Sequence, residues 1–151
     1  MAFVDSNTKV RQLLNRLDDS ASSERLNALS ELNALARSDS NIVGNLSIRR
    51  IFVFLYEQGT IEEFQECLDL LHRLVKNDFN DASNSNSNVD LILAETSHVE
   101  LLLDLLEHED LTVAVMANEI LTDLHNARGA VLENHIQNCP AGKHVYHDIC
   151  D

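Results

Sequence analysis

The residues whose types and spacing are best suited to bind a metal ion lie near the C-terminal end of the chain. Cys139, His144, His147 and Cys150 form a C-x4-H-x2-H-x2-C pattern. Two thiolates and two imidazoles can hold zinc in a tetrahedral structural site. The spacing matches no common zinc motif, however, and the four residues are crowded into a short terminal segment. We therefore expect no metal site.

The other histidines could act as general bases if nucleophiles stood beside them. His72 falls in the second helical repeat of the pattern described below, and His98, His108, His125 and His135 fall in the third. We expect them at polar faces or corners, with no nucleophile placed beside any of them. No G-x-G-x-x-G, P-loop, G-x-S-x-G or H-E-x-x-H motif occurs. The sequence thus predicts no catalytic residue, no cofactor and no enzymatic activity.

Length and composition indicate one all-α domain. A chain of 151 residues can form one modest core but is short for two. It is 44% apolar, yet it has one Pro, no Trp, five Phe and two Tyr, which disfavours a β-sandwich. The three widely spaced cysteines suit reduced thiols. The N-terminus lacks an apolar signal segment, and no apolar run reaches the roughly 18 residues of a membrane span. We expect a cytoplasmic protein without a transmembrane segment.

The charge of the chain limits its possible partners. The formal net charge is −14 and the isoelectric point is near 4.7. Such a chain repels phosphate backbones, so we expect no nucleic acid partner. Between Lys76 and Arg128 there is no Lys or Arg, while acidic residues are frequent. This acidic interval is either a solvated surface or a docking face for a basic segment.

Apolar residues recur at helical spacing in three pairs of segments. The first segments carry matching stripes: Val10, Leu13, Leu14 and Leu17; Ile48, Ile51, Phe52 and Leu55; and Val99, Leu102, Leu103 and Leu106. The second segments also match: Ala28, Leu29, Leu32 and Leu35; Cys67, Leu68, Leu71 and Leu74; and Ala117, Leu121 and Leu124. Asn118 departs from this register, because it stands where Leu29 and Leu68 stand in the earlier pairs.

These pairs recur about every 38 to 40 residues, which is the length class of armadillo and HEAT repeats. The sequence predicts an all-α, armadillo/HEAT-like right-handed superhelical stack of about three helical repeats in a single domain, 1–151. The repeats span about 8–45, 46–96 and 97–142, and 143–151 is an incomplete tail. Because the last repeat lacks a following one, we expect self-association at the C-terminal end.

Glycines, a capping box and a polar segment predict where helices begin and end. Asn41 to Gly44 indicates a short turn that ends at the glycine. Thr60 and Glu63 form a T-x-x-E capping box at the start of a helix. The polar segment NDFNDASNSNSN, residues 77–88, predicts a flexible loop. Gly129 predicts a break before a last short helix, Ala130 to Asn138.

Several segments of the chain resemble the globular head of the general vesicular transport factor family, a group of Golgi vesicle-tethering proteins. The resemblance rests on CLDLLHRLVKN, the low-complexity loop, VELLLDLLEHEDLTVAVMANEILTDL and ILTDLHNARGAVLENHIQNCPAG, in order, together with TKVRQLLNRLDDSASSERLNALSELNALARSDSNIVG. It covers about residues 8 to 142. It implies an armadillo-like scaffold that acts in ER-to-Golgi and intra-Golgi transport and associates peripherally with Golgi membranes.

The same resemblance implies protein partners of three kinds, namely golgins, a Rab GTPase and SNAREs. Family heads contain more repeats, followed by a dimeric coiled-coil tail, and neither is present in this sequence. We therefore expect a fragment, a truncated product or a divergent short relative. Two other functions are open. One is an unrelated armadillo-like adaptor such as a chaperone cofactor, and the other is a regulatory subunit of an enzyme.

The repeat register also predicts a partner-binding surface. In a curved stack, the second helix of each repeat lines the concave side, and equivalent positions form rows along it. Acidic members in these rows favour a basic or polar segment as the bound partner. The predicted rows are Ser30, Asp69 and Glu119, and Asn33, His72 and Thr122.

Overall fold

A computed structural model describes residues 5–18, 21–57, 59–80 and 87–139. This part of the chain forms helices and no strand, which confirms the all-α prediction. The helices are α1 (Ser6–Arg16), α2 (Ser22–Ala36), α3 (Ser40–Tyr56), α4 (Ile61–Asn80), α5 (Ser87–Ile92), α6 (Thr96–Leu105) and α7 (Leu111–Gln137). Within these ranges, none of the helices combines the length and apolar character that a membrane span requires.

The predicted apolar stripes form the core. Each of the six stripes contributes buried side chains, and Leu29, Leu68, Leu71 and Leu102 are fully buried. Burial of one such side chain contributes roughly 1.5 to 3 kcal/mol, whereas an isolated helix of this length is marginal in water. Tertiary packing of the stripes is therefore the main source of stability for these helices.

The helices pack in series. Helices α1 and α2 contact each other, as do α3 and α4, and α6 and α7. Among the second members of these pairs, α2 packs against α4 and α4 packs against α7. On the other side, α3 contacts α1, α5 and α6. The faces of α2, α4 and α7 are consequently neighbours, with α4 in the middle.

The predicted turn at Asn41 to Gly44 is wrong, because these residues lie inside α3. Gly44 provides space for a side chain of another helix. A Cβ atom at this position would lie 1.7 Å from Asn88 Oδ1. The Asn88 side-chain amide donates hydrogen bonds to Leu74 O (3.0 Å) and Ser40 Oγ (3.1 Å). The glycine thus permits a close contact between α3 and α5 and does not interrupt the helix.

The predicted loop 77–88 is too long at both ends. Helix α4 continues to Asn80 and α5 begins at Ser87, and residues 81–86 lie outside the described part. Side chains of the extended α4 have structural partners. Asn77 Nδ2 donates to Ala36 O (2.9 Å), and Asp78 Oδ2 accepts a hydrogen bond from Val89 N (2.8 Å). The last turn of α4 is therefore anchored to α2 and α5, although its composition is polar.

Two predicted interruptions are confirmed. Thr60 N donates to Glu63 Oε2 (3.0 Å) and Glu63 N donates to Thr60 Oγ1 (3.1 Å), which is the reciprocal arrangement of a capping box. Helix α7 has a kink at Arg128, whose φ of −145° and ψ of 59° are non-helical. This kink directly precedes Gly129, where the sequence predicts a break. The predicted tail, residues 143–151, lies outside the described part.

Candidate functional site

The six residues of the predicted rows lie on three adjacent helices. Ser30 and Asn33 belong to α2, Asp69 and His72 to α4, and Glu119 and Thr122 to α7. Asn33 is buried, Asp69 and His72 are partly buried, and the other three are exposed. Asn33 contacts Asp69, His72 lies beside Glu119, and Thr122 lines the same cavity as His72 and Glu119, so the structure brings five of the six residues together along the surface of α2, α4 and α7. That this surface binds a partner remains a prediction.

The contacts run between the predicted rows. Asn33 Nδ2 donates to Asp69 Oδ2 (3.1 Å), and His72 Nδ1 lies 3.9 Å from Glu119 Oε2. Each contact joins a member of one row to a member of the other. Asp69 precedes His72 by nearly one turn of α4. Each helix is therefore shifted along its neighbour by about one turn, relative to the pairing that the sequence repeats predict.

The α2–α4 junction, defined by Ser22, Arg25, Asn33, Glu63 and Arg73, is held by polar side chains that partner one another. Glu63 is fully buried and accepts hydrogen bonds from Ser22 Oγ (2.7 Å) and Arg25 Nε (2.8 Å). Arg25 Nη2 lies 2.7 Å from the same carboxylate oxygen. Further along, Arg73 Nε donates to Asn33 Oδ1 (2.9 Å).

Opposing effects determine the ionisation of Glu63. Burial alone would raise the pKa of this carboxyl group. Hydrogen bonds from Ser22, from the Thr60 N–H and from Arg25, together with the charge of the guanidinium group, outweigh burial and lower the pKa below its ordinary value. Glu63 is therefore a charged structural link between α2 and α4. The sequence predicts its capping role but not its pairing with Arg25.

The α4–α7 junction, defined by His72, Lys76, Asn118, Glu119 and Asp123, is built differently. Asp123 is buried, with 7% of its surface exposed. Lys76 Nζ lies 3.3 Å from Asp123 Oδ1 and donates a hydrogen bond to it. His72 Nε2 lies 3.2 Å from Oδ2, yet Oδ2 accepts no hydrogen bond of acceptable geometry. Asn118 Oδ1 is likewise buried without a hydrogen-bond donor.

A cavity of about 330 Å³ opens at this junction. The five junction residues line it together with Thr122. A second cavity of about 290 Å³ lies along α4, beside Asp69, His72, Arg73, Lys76 and Asn77. Four of the predicted surface residues thus line one or both cavities. Their mixed acidic and basic lining suits the binding of a polar, charged group rather than an apolar ligand.

A wider cavity of about 520 Å³ lies at the corner between α2 and α3, and its lining includes Arg37, Asp39 and Asn77. Asp39 accepts a hydrogen bond from Ser6 Oγ (2.6 Å), and Asn77 is bonded to Ala36 O. These two side chains have structural partners, so this cavity is a weaker candidate than the α4–α7 junction despite its size.

The sequence did not identify five polar residues of the surface: Glu66, Arg73, Lys76, Asn118 and Asp123. Arg73 and Lys76 bring positive charge to a surface whose predicted members are acidic or neutral. One signal was available. Asn118 breaks the apolar register at a position where Leu29 and Leu68 are completely buried, and it proves to line the cavity.

The prediction that every remaining histidine lies at a polar face or corner is wrong for His98. Its ring is 3% exposed and stacks on Phe52, with 4.0 Å between the ring centroids. Nδ1 lies 3.0 Å from Ile92 O, and Nε2 lies 2.9 Å from Glu95 Oε2. Burial lowers the pKa of His98, which favours the neutral ring. The short apolar turn before α6 creates this buried position.

The His135 contact brings a hydroxyl group to a ring nitrogen, where the sequence predicts no nucleophile beside a histidine. His135 Nδ1 lies 2.8 Å from Thr96 Oγ1, and the other ring nitrogen contacts Leu93 O. These contacts link α7 to the α5–α6 corner. His72 faces the carboxylates of Asp123 and Glu119, and the nearby Thr122 Oγ1 donates to Asn118 O (2.9 Å) of its own helix.

The metal pattern considered above is mostly outside the described residues, which include only Cys139 of the four. Cys139 is buried, and burial raises the pKa of its thiol, which disfavours the thiolate that a zinc site needs. Among residues 5–18, 21–57, 59–80 and 87–139, no group of three or more His, Cys, Asp or Glu side chains is arranged to hold a metal ion.

No protein-family model matches the chain, and no curated protein is significantly similar to it. The inference of function therefore depends on the geometry of the helices, on the surface of α2, α4 and α7, and on the resemblance of the quoted segments.

Proposed function

We propose that the protein is a non-catalytic interaction scaffold that binds a protein partner along the surface of α2, α4 and α7. The observation that supports this proposal is the serial packing of these helices, which brings polar side chains of neighbouring helices into contact, Asn33 with Asp69 and His72 with Glu119. In this proposal the helix pairs form an armadillo/HEAT-like, right-handed superhelical stack, and α2, α4 and α7 line its concave side.

Electrostatics support a basic or polar segment as the partner. The whole chain has a formal net charge of −14, which attracts basic segments over long distances at low salt. On the surface itself, Glu66, Asp69, Glu119 and Asp123 outnumber Arg73 and Lys76. A basic segment would compensate the remaining negative charge, whereas a nucleic acid would be repelled.

The resemblance to vesicle-tethering heads gives the proposal its biological setting. It assigns the scaffold to ER-to-Golgi and intra-Golgi transport, with cytoplasmic location, peripheral attachment to Golgi membranes, and golgins, a Rab GTPase and SNAREs as partners. Two quoted segments, CLDLLHRLVKN and VELLLDLLEHEDLTVAVMANEILTDL, cover parts of α4, α6 and α7. They include Asp69, His72, Glu119 and Thr122 of the proposed surface.

The proposal is tested by locating the tagged chain in cells and by measuring direct binding. We expect colocalisation with early Golgi markers, and binding of purified protein to a golgin, Rab or SNARE fragment that the double variant Asp69→Lys, Glu119→Lys loses. A control variant, Glu100→Lys, makes the same kind of charge change at an exposed site on α6. Unchanged binding by the double variant, with its helical content and melting temperature retained, would refute the surface.

Cell imaging also separates the alternatives. A diffuse cytosolic signal that follows Hsp70 would favour the chaperone cofactor, and stable recovery with an enzyme whose activity depends on the chain would favour a regulatory subunit. Self-association at the C-terminal end is a separate prediction. Sedimentation over a wide concentration range tests it, and a strictly monomeric species would contradict it.

A further inference from the structure

We propose that the cavity at the α4–α7 junction binds the guanidinium group of an arginine side chain carried by the partner segment. This inference deepens the proposed function, on which it rests, by naming the anchor of the bound segment. It is carried by buried acceptors that lack donors, by a cavity that they line, and by an internal cation already placed beside one of them.

The unpaired acceptors are the first step. Asp123 Oδ2 and Asn118 Oδ1 are both buried and accept no hydrogen bond from the described residues, although His72 Nε2 lies 3.2 Å from Asp123 Oδ2. Leaving a buried polar group without a hydrogen bond is costly, so such groups in native structures commonly have an additional partner. Both residues line the same cavity. A ligand that donates hydrogen bonds there would remove this cost.

The repeat register makes Asn118 more informative than an ordinary polar residue. Leu29 and Leu68 occupy the equivalent positions in α2 and α4, and both are completely buried. A leucine at position 118 would continue the stripe that packs α7 against its neighbours. The asparagine replaces that apolar contact with an oxygen that accepts no hydrogen bond from residues 5–18, 21–57, 59–80 and 87–139, so packing among these residues does not account for its presence.

Lys76 shows that the junction accepts a cation. Its ammonium group lies 3.3 Å from Asp123 Oδ1, although the side chain is 52% exposed and long enough to move away. Because the lysine end of the pair is exposed to solvent, a ligand that pairs with the buried Asp123 carboxylate can displace the lysine. We interpret Lys76 as an internal competitor for the position that the partner's cation takes.

Arginine fits the remaining acceptors better than lysine or a metal ion. Its planar guanidinium group has five N–H donors in a fixed fork, so it can serve two acceptors on different residues at once. Lysine offers a compact point charge instead. A metal ion is disfavoured, since the described residues contain no group suited to one. The volume of about 330 Å³ is near the lower limit of small-ligand sites, roughly 300 to 1,000 Å³, which suits one side chain.

The test uses the full chain and two fluorescein-labelled peptides, Gly-Lys-Gly-Lys-Arg-Lys-Gly-Lys-Gly and the same peptide with citrulline in place of arginine. Citrulline keeps the shape of arginine and removes its charge. We expect the arginine peptide to bind about tenfold or more tightly by fluorescence anisotropy, because hydrogen bonds to charged groups are worth more than neutral ones. Asp123→Asn should abolish this preference, and Glu100→Gln should leave it unchanged.

A second variant protects the test against a folding defect. Lys76→Met removes the internal competitor at an exposed site, so it should raise affinity for the arginine peptide by about threefold or more, even if Asp123→Asn proves unstable. Equal binding of both peptides by the wild-type chain would overturn the arginine site while leaving the basic-segment surface intact. Absence of binding by either peptide would overturn both, and unchanged or lower affinity of Lys76→Met would overturn the role of Lys76.

Discussion

The two junctions of α4 use similar residue types to different effect. At the α2–α4 junction, the buried Glu63 carboxylate is paired with Arg25 and further hydrogen-bonded by Ser22 and Thr60. At the α4–α7 junction, one oxygen of the buried Asp123 accepts a hydrogen bond from Lys76, while the other lies 3.2 Å from His72 Nε2 and accepts no hydrogen bond from the described residues. The first arrangement links two helices, whereas the second leaves a carboxylate oxygen that can accept a further hydrogen bond.

This difference separates stabilising contacts from contacts available to a partner. A buried ion pair with additional hydrogen bonds stabilises a structure when every lone pair is satisfied, and removing one partner is costly. A buried carboxylate with an oxygen that accepts no hydrogen bond contributes less to the stability of the fold and more to the binding of a partner. We therefore expect substitutions at the first junction to reduce stability, and those at the second to reduce binding.

The largest expected effect is that of Glu63→Ala. It removes the carboxylate that joins Ser22 and Arg25 to α4, and it leaves the guanidinium group without its buried partner. We expect the free energy of unfolding to fall by about 3 kcal/mol. Urea denaturation followed by circular dichroism measures this change.

The matched control is Glu62→Ala, which removes an exposed carboxylate from the same helical turn. It should change the free energy of unfolding by no more than about 0.5 kcal/mol. Equal losses for the two variants would show that the buried pair does not hold the α2–α4 junction together.

Acid should reproduce part of the Glu63→Ala effect. The pKa of Glu63 is lowered in the folded chain, so its contribution is complete above the unfolded value of about 4.3 and is lost as pH falls through the folded value. The difference in unfolding free energy between wild type and Glu63→Gln should shrink below about pH 4. A difference that stays constant from neutral to acidic pH would contradict the ionised link.

A smaller loss is expected from Asn33→Ala, also at the α2–α4 junction. Asn33 accepts a hydrogen bond from Arg73 and donates to Asp69, but both partners are partly exposed and can turn to water. We expect a loss of about 1 kcal/mol in the free energy of unfolding. Asn27→Ala, on the exposed face of the same helix, is the control and should be near neutral.

The smallest effect on stability is expected from Asp123→Asn. The pairing of Asp123 with Lys76 is half-exposed, and its second oxygen accepts no hydrogen bond in the wild type. The free energy of unfolding should change by at most about 0.5 kcal/mol. Glu119→Gln, which neutralises an exposed carboxylate of the same junction, provides the comparison. A loss as large as that of Glu63→Ala would mean that Asp123 is a structural residue.

The sequence could predict those features of the fold that depend on local periodicity. The stripes of α1, α3 and α6, and of their partner helices, follow from the 3.6-residue period, because an apolar face must be covered. The Thr60–Glu63 capping box and the break near Gly129 also depend on neighbouring residues. The role of Gly44 could not be predicted in this way, since it depends on Asn88, which contacts it from another helix.

The candidate site was only partly predictable for the same reason. Repeat spacing placed six residues on equivalent helices, but it could not give the offset that brings Asn33 to Asp69. Nor could it pair Glu63 with Arg25, which is 38 residues earlier in the chain. Asn118 was visible as a break in the register, yet its proposed role could be inferred only from the cavity that it lines with Asp123.

The central claim is that the α4–α7 junction, and not the Glu63–Arg25 pair at the α2–α4 junction, receives the arginine of the partner segment. The most direct test is an NMR titration of ¹⁵N-labelled protein with the arginine peptide, following backbone amide shifts. We predict that the largest shift changes occur at residues 72–76 and 118–123, with residues 22–25 and 60–63 nearly unchanged. Changes concentrated at 22–25 and 60–63, or distributed evenly over all helices, would contradict the claim.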